Sequence, residues 1–320
     1  MSRLGLRAAL MFGVWVAGTL VAAPVYGFLW PNSAERIEAQ LRSSDPVVRR
    51  RAAARLAKLP RAARERLVPK ALTDSDAEVR LAVTEATAEL SLPGLGDRVV
   101  GWLSDPDRRI RLAAARLLTQ SPGSRAVAAL GRVLGDPDPQ VRMAAAGALA
   151  VATEADAALV LLGHVDDPDH QVRRAVILGL ARLADPRSVV PLIGKVQDAR
   201  PEVRGAAARA LGELGDARAV SALVLALRDN DEMVQIAALD ALGALKDKTA
   251  VTSIVGILNQ KSAPPVLAAA LRALGGVPAP ESLDALVKAV ALSSPDMARQ
   301  AAQAALTKIG QPAVAHLEKC

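Results

Sequence analysis

The chain has 320 residues, 51% of them hydrophobic and 23% charged, which excludes a disordered polymer and leaves room for one long domain or two ordinary ones. Aromatic residues are only 2% of the chain, and after Trp30 the sole one is Trp102; a core of Ala, Leu, Val and Ile suits closely approaching helices better than a sandwich or an open sheet. The formal charge is +7 and the single cysteine, Cys320, is the last residue, so an intramolecular disulfide framework and a Cys-based zinc site are both excluded.

In chain order, Arg3 and Arg7 precede an uncharged run from Ala8 to Pro31, long enough to cross a hydrocarbon layer of ~30 Å as a helix rising ~1.5 Å per residue. Tyr26, Phe28 and Trp30 resemble an interfacial belt, while Val25-Tyr26-Gly27 offers a small residue for signal cleavage. Residues 1–31 are therefore expected to be an apolar N-terminal helix, either an uncleaved anchor or a signal peptide cut near Gly27. By analogy with ordinary signal sequences, the N-terminus is placed in the cytoplasm. The remainder then faces the periplasm or exterior, or is released there after cleavage.

From residue 33 onward the sequence repeats. Steps of 31 connect Val48, Val79, Ile110, Val141, Val172, Val203 and Val234, and two steps of 32 add Val266 and Ala298, giving nine copies. An arginine follows the anchor at Arg49, Arg80, Arg111, Arg142, Arg173, Arg204 and Arg299, the exceptions being Gln235 and Leu267. Three residues before the anchor stand Asp45, Asp76, Asp107, Asp138, Asp169 and Asp231, each placed to cap the first free amides of a helix. Eight residues after it lie Leu56, Leu118, Leu149, Leu180, Leu211, Leu242, Leu274 and Leu306, with Thr87 the one break. Anchor, alanines and leucine at helical spacing predict one apolar stripe on the second helix of each repeat, helix B.

A second series, Val68, Val99, Leu130, Leu161, Leu192, Leu223, Ile254 and Leu286, lies eleven or twelve residues before its anchors and marks helix A. Breaks between repeats are expected at Asp185-Pro186, Gly215-Asp216 and Gly275-Gly276, where glycine can adopt the left-handed conformation that ends a helix. Two short helices cannot bury their own stripes, so the units must stack into a quasi-one-dimensional array. At ~8–10 Å per step, nine units span on the order of 80 Å.

Asp-x-x-Val-Arg between two amphipathic helices, repeated nine times, resembles the HEAT repeat, and the short period is similar to the bacterial subgroup related to phycobilisome lyase repeats. The resemblance covers about nine tenths of the chain. It implies an all-α, right-handed α-solenoid of about nine two-helix repeats over residues 33–320. It further implies a concave face lined by the B helices and a ladder of the aspartates and arginines running along the turns. On that basis Asp45, Asp76, Asp107, Asp138, Asp169, Asp231 and Arg49, Arg80, Arg111, Arg142, Arg173, Arg204 are structural residues.

Departures from the pattern sit at the two ends. Residues 33–72 carry eleven Lys or Arg against four Asp or Glu. Arg50, Arg51, Arg55 and Lys58 form a possible membrane-facing basic patch directly after the apolar segment, drawn to anionic headgroups by about 1 kcal/mol per charge. A plain solvated face is the alternative, and nucleic acid is disfavoured because no aromatics interleave with the cations. Near the other end, Ala263 and Leu267 replace the aspartate and arginine, and Pro264-Pro265 stands at the expected start of helix B. Terminal repeats are commonly atypical.

His164-Val165-Asp166-Asp167-Pro168-Asp169-His170 is the one place where histidines meet acids, yet its acids coincide with the repeated turn, so no metal is expected there. No nucleophile elbow, phosphate loop, dinucleotide fingerprint or H-E-x-x-H helix occurs. The histidines lack the following glutamates that iron-binding deoxyhypusine hydroxylases of this repeat type use. The expectation is a non-enzymatic protein-interaction scaffold without a cofactor, its protein partner unidentified. The alternative is an accessory or catalytic subunit of the lyase-like group acting on a cofactor-bearing partner.

Overall fold

A computed structural model describes residues 33–87, 94–120, 126–260, 262–292, 296–311 and 313. Residues 1–31, and with them the expected anchor or signal segment, lie outside the described residues. No helix among the described residues is long and apolar enough to cross a membrane.

Among the described residues the chain forms eighteen α-helices in nine A–B pairs. The first three pairs are α1 (Ser33–Leu41) with α2 (Pro46–Ala53), α3 (Arg61–Ala71) with α4 (Ala77–Thr87), and α5 (Leu95–Val99) with α6 (Arg108–Gln120). Next come α7 (Ala126–Val133) with α8 (Pro139–Leu149), α9 (Ala157–Leu162) with α10 (His170–Leu183), and α11 (Val189–Lys195) with α12 (Pro201–Leu214). The last three are α13 (Val220–Ala226) with α14 (Glu232–Leu245), α15 (Val251–Leu258) with α16 (Pro264–Gly276), and α17 (Pro280–Leu292) with α18 (Asp296–Ile309). Each A helix packs on its own B helix, and each B helix packs on the next, from α2 to α18.

The core between the two layers follows the repeat. Val79, Ile110, Val141, Val172, Val203, Val234 and Val266 are fully buried, as are Leu56, Leu149, Leu180, Leu211, Leu242 and Leu274. Thr87, the exception in the leucine series, is also fully buried. Its hydroxyl donates to the Thr84 carbonyl at 2.6 Å, so the polar atom keeps a partner inside the apolar layer. Ile37, one period before Val68, is buried too and supplies the helix-A position of the first repeat.

Two of the expected boundaries differ. In the first repeat, helix B stops at Ala53, and Leu56–Lys58 form a separate 3-10 turn. Gly275-Gly276 ends α16 at the expected break, but in ordinary helical rather than left-handed conformation. Their lack of side chains serves packing instead: a Cβ on Gly275 would lie 2.6 Å from the Ala305 Cβ, and one on Gly276 would lie 2.4 Å from the Gly243 carbonyl oxygen. Gly243 meets Ala273 in the same way and Gly212 meets Ala241, so successive B helices touch backbone to backbone at their C-terminal ends. The left-handed stop is instead found at Ala184, Gly215 and Lys246, 31 residues apart, each followed by an aspartate that caps the entry to the next A helix, Asp185, Asp216 and Asp247.

Candidate functional site

The charged residues of the repeat meet at the turns between helices A and B. Asp45, Asp138, Asp169 and Asp231 accept from the amides two residues on, at 2.7–2.9 Å. Asp107 accepts from the Arg109 amide at 2.8 Å and Asp76 from the Val79 amide at 3.0 Å. These carboxylates cap the B helices and lie at the positive end of each helix dipole.

The six arginines from Arg49 to Arg204 do not pair with those capping aspartates. Each reaches 25 residues ahead to a different acid: Arg49 to Asp74, Arg80 to Asp105, Arg111 to Asp136, Arg142 to Asp167, Arg173 to Asp198 and Arg204 to Asp229. The expected ladder thus runs through aspartates two residues upstream of the caps. Each of these acids also accepts from the backbone amide two residues on, as Asp167 does from Asp169 at 2.9 Å. The Nη1 of each arginine turns back to carbonyls of its own turn, as Arg142 does to Asp136 at 2.9 Å. One guanidinium thereby ties two consecutive turns together.

The side chains are largely buried: Asp167 retains 4% and Arg142 11% of their exposure. Burial pushes the Asp136, Asp167, Asp198 and Asp229 carboxyls up, but the bidentate guanidinium and the backbone amide more than offset it, and all four end below the ordinary aspartate value. They are ionised clamps at neutral pH.

The clamp ends where the sequence changes. Gln235 keeps the backwards bond, its Nε2 donating to the Asp229 carbonyl at 2.7 Å, but neither Gln260 nor Lys261 offers an acid ahead of it. Leu267 removes the cation in the next repeat. Trp102 has its own part in the second clamp: the Arg80 guanidinium lies 5.9 Å over its ring, and Arg80 holds Asp105 through Nη2 alone.

The basic end is less free than its composition suggests. Arg50 is fixed to Asp76 by two hydrogen bonds of 2.9 and 2.6 Å, which hold the Asp76 carboxyl down at about 2. Arg51, Arg55 and Lys58 are exposed, but they do not share one helix face, because α2 ends at Ala53 before Arg55 is reached. Arg42, Arg66 and Lys70 converge on Glu38. In the histidine segment, Asp167 is held by Arg142 and Asp169 caps α10, so both acids have structural partners.

Exposed side chains outside the caps and clamps occur on both layers, with Leu159, Val190 and Leu225 on A helices, and the two grooves lined mainly by B-helix residues hold the cations. In repeats four to seven, Met143 of α8, Arg174 and Leu178 of α10, Arg209 of α12 and Met233 of α14 line one groove of about 570 Å³. Leu178 is 43% and Met233 63% exposed. The acids there are engaged, with Asp231 capping α14 and Glu202 lying 3.5 Å from Arg200. Among the described residues neither Arg174 nor Arg209 has an ion-pair or hydrogen-bond partner. A second groove, of about 410 Å³, is lined by Leu81, Leu112, Arg108, Arg109 and Arg116. Two of its cations are already paired, Arg108 with Asp138 and Arg109 with Glu78 and Asp107. A third, of about 480 Å³, opens between the last two repeats around Val255, Leu258, Leu267 and Leu271.

Solved structures with the same architecture include an engineered protein, 24% identical over 90% of this chain and 94% of its own, with a TM-score of 0.56. YibA of E. coli is 18% identical over 84% of this chain and 97% of its own, with a TM-score of 0.55. A chain of the Kap95:Nup1 complex is 15% identical over 91% of this chain but 47% of its own, with a TM-score of 0.63. At these identities the likeness is one of fold. No curated protein matches the sequence significantly. The family model of HEAT repeats matches residues 96–181, 160–232, 189–270 and 221–307, together about two thirds of the sequence, and the chain belongs to the HEAT repeat family.

Proposed function

We propose that the protein is a non-enzymatic interaction scaffold, carried to a membrane or across it by residues 1–31, which presents the exposed edges of its B helices to a protein partner. HEAT solenoids are generally protein-binding scaffolds, and by its 31-residue period we place this one among the short-period bacterial repeats. The observation that carries the proposal is the division of labour among the charged groups. The acids and bases that recur with the period are engaged in caps and clamps, and across consecutive B helices, from α8 to α14, other side chains form a mixed apolar and cationic strip. Such a strip suits recognition of a polypeptide, where aromatic or aliphatic anchors and arginines contribute most of the binding energy.

The test uses the full chain with a tag after Cys320, cross-linked in cells and purified in detergent from membrane and periplasmic fractions. A stoichiometric polypeptide without chromophore supports a scaffold; a co-purifying pigment or metal overturns the non-enzymatic assignment. Mass spectrometry of the mature N-terminus separates the two fates of residues 1–31, giving an intact N-terminal segment for an anchor and a start near Phe28 for a cleaved signal.

A further inference from the structure

The groove across repeats four to seven has a chemistry of its own. Two cations line its middle, Arg174 on α10 and, about one helical turn further along the B layer, Arg209 on α12; neither has an acidic partner among the described residues, and the acid beside them, Glu202, lies 3.5 Å from Arg200. The clamp arginines on the same two helices, Arg173 and Arg204, are saturated by Asp198 and Asp229, so those acids are not free to neutralise the groove. Met143 on α8 lies at one end and Met233 on α14 at the other, beside the capping Asp231, and Leu178 lies between them. An unpaired guanidinium beside exposed aliphatic carbon is a strong, planar receptor for carboxylate.

Resting on the scaffold reading above, we propose that this groove binds an acidic peptide segment, extended across four repeats, with a central pair of carboxylates between two apolar side chains. From α8 to α14 there are three inter-helix steps of ~8–10 Å, or roughly 25–30 Å in all, which an extended chain at ~3.3 Å per residue spans in about eight or nine residues. The two carboxylates meet Arg174 and Arg209, and the flanking apolar side chains cover Met143 and Met233. Methionine adapts its shape to different aliphatic partners, so the groove selects strictly for charge in the centre and loosely for shape at the ends.

The test is fluorescence anisotropy with the detergent-purified full chain and a labelled peptide of about nine residues bearing two central glutamates between two leucines. Saturable binding is expected. Arg174→Glu and Arg209→Glu are each expected to weaken it about tenfold, and the double substitution about a hundredfold. Leu178→Asp is expected to weaken it as well. All three positions are exposed, so circular dichroism and melting should be unchanged. The same peptide with glutamines in place of the glutamates should bind at least about tenfold more weakly. The proposal is overturned if the glutamate peptide shows no saturation by about 1 mM, if the glutamine peptide binds equally well, or if the double variant binds like the wild type. It is also overturned if a labelled oligothymidine binds tighter than the peptide and loses that binding in the double variant, which would make the groove a nucleic-acid site. If the cross-linked double variant still captures the wild-type partner while the peptide fails, the groove assignment falls and the scaffold stands; if the wild type captures none, the scaffold falls with it.

Discussion

Arg142 grips Asp167 with two parallel hydrogen bonds, Nε to Oδ2 and Nη2 to Oδ1, each 2.8 Å long, while its Nη1 donates to the Asp136 carbonyl 2.9 Å away. Asp136 is in turn the acid gripped by Arg111. The rungs are therefore connected: each turn offers its carboxylate to the repeat before it and its carbonyl to its own arginine. In an array where every unit touches only its neighbours, such links set how far one repeat can open without the next.

Removing one partner of a rung leaves the other charge largely buried. Arg142→Ala should cost about 3 kcal/mol, because Asp167 would remain ionised and nearly inaccessible. The double variant Arg142→Leu/Asp167→Leu should recover part of that loss, since an apolar pair escapes the desolvation cost of a lone charge, although the Asp169 amide and the Asp136 carbonyl lose their partners. Denaturant melts of the two variants measure the difference, and hydrogen exchange should show the single variant opening α8 and α10 first. Equal losses in both would refute the account of the rung.

The glycines of the B layer should respond in opposite directions. Gly276→Ala brings a Cβ to within 2.4 Å of the Gly243 carbonyl and should destabilise by about 2–3 kcal/mol through forced separation of α14 and α16. Gly147→Ala meets nothing within 4 Å and should stabilise α8 by about 0.5–1 kcal/mol. Thermal melting of the pair decides the matter, and a Gly276→Ala protein as stable as the wild type would rule out the close approach.

Ala184 and Lys246 hold φ values of 52° and 56°, in the left-handed region that Gly215 occupies at the same repeat position with φ 70°. Side chains other than glycine pay about 1 kcal/mol there. Ala184→Gly and Lys246→Gly should each raise stability by several tenths of a kcal/mol after the entropy cost of glycine in the unfolded chain is subtracted. A drop in melting temperature in both would contradict the strain.

Acid should act through the aspartates. Asp136, Asp167, Asp198 and Asp229 lie below the ordinary value, and Asp76 and Asp216 lie at about 2, held chiefly by Arg50 and Arg218. Because these folded-state values are lowered, the stability they contribute is complete above the unfolded aspartate value of about 3.9 and is lost as pH falls through the folded values. Melts followed by circular dichroism should change little between pH 7 and about 5 on this account, then fall steeply from about 4 to about 2. A loss complete by pH 5 would place the acid-sensitive groups elsewhere.

The period, the helix starts and most of the core were determined by the sequence alone, because they arise from local causes. Asp138 caps α8 through the amide of Gln140, two residues away, and Val203, Ala207 and Leu211 fall on one side of a single helix. The clamp acids Asp74, Asp105, Asp136, Asp167, Asp198 and Asp229 recur at the same 31-residue step and carried a signal, but spacing does not say which of two neighbouring aspartates an arginine will reach. That choice lies 25 residues away across a packed interface, and only the stacking of one turn over the next settles it. The same holds for Gly275 and Gly276, which look like a left-handed helix stop but end α16 in helical conformation and act as a contact because α18 and α14 approach them. It holds too for the groove of Arg174 and Arg209, which exists only when four helices stand side by side. Capping and periodicity are written within one helix, whereas pairing, close approach and concavity belong to the distances between helices.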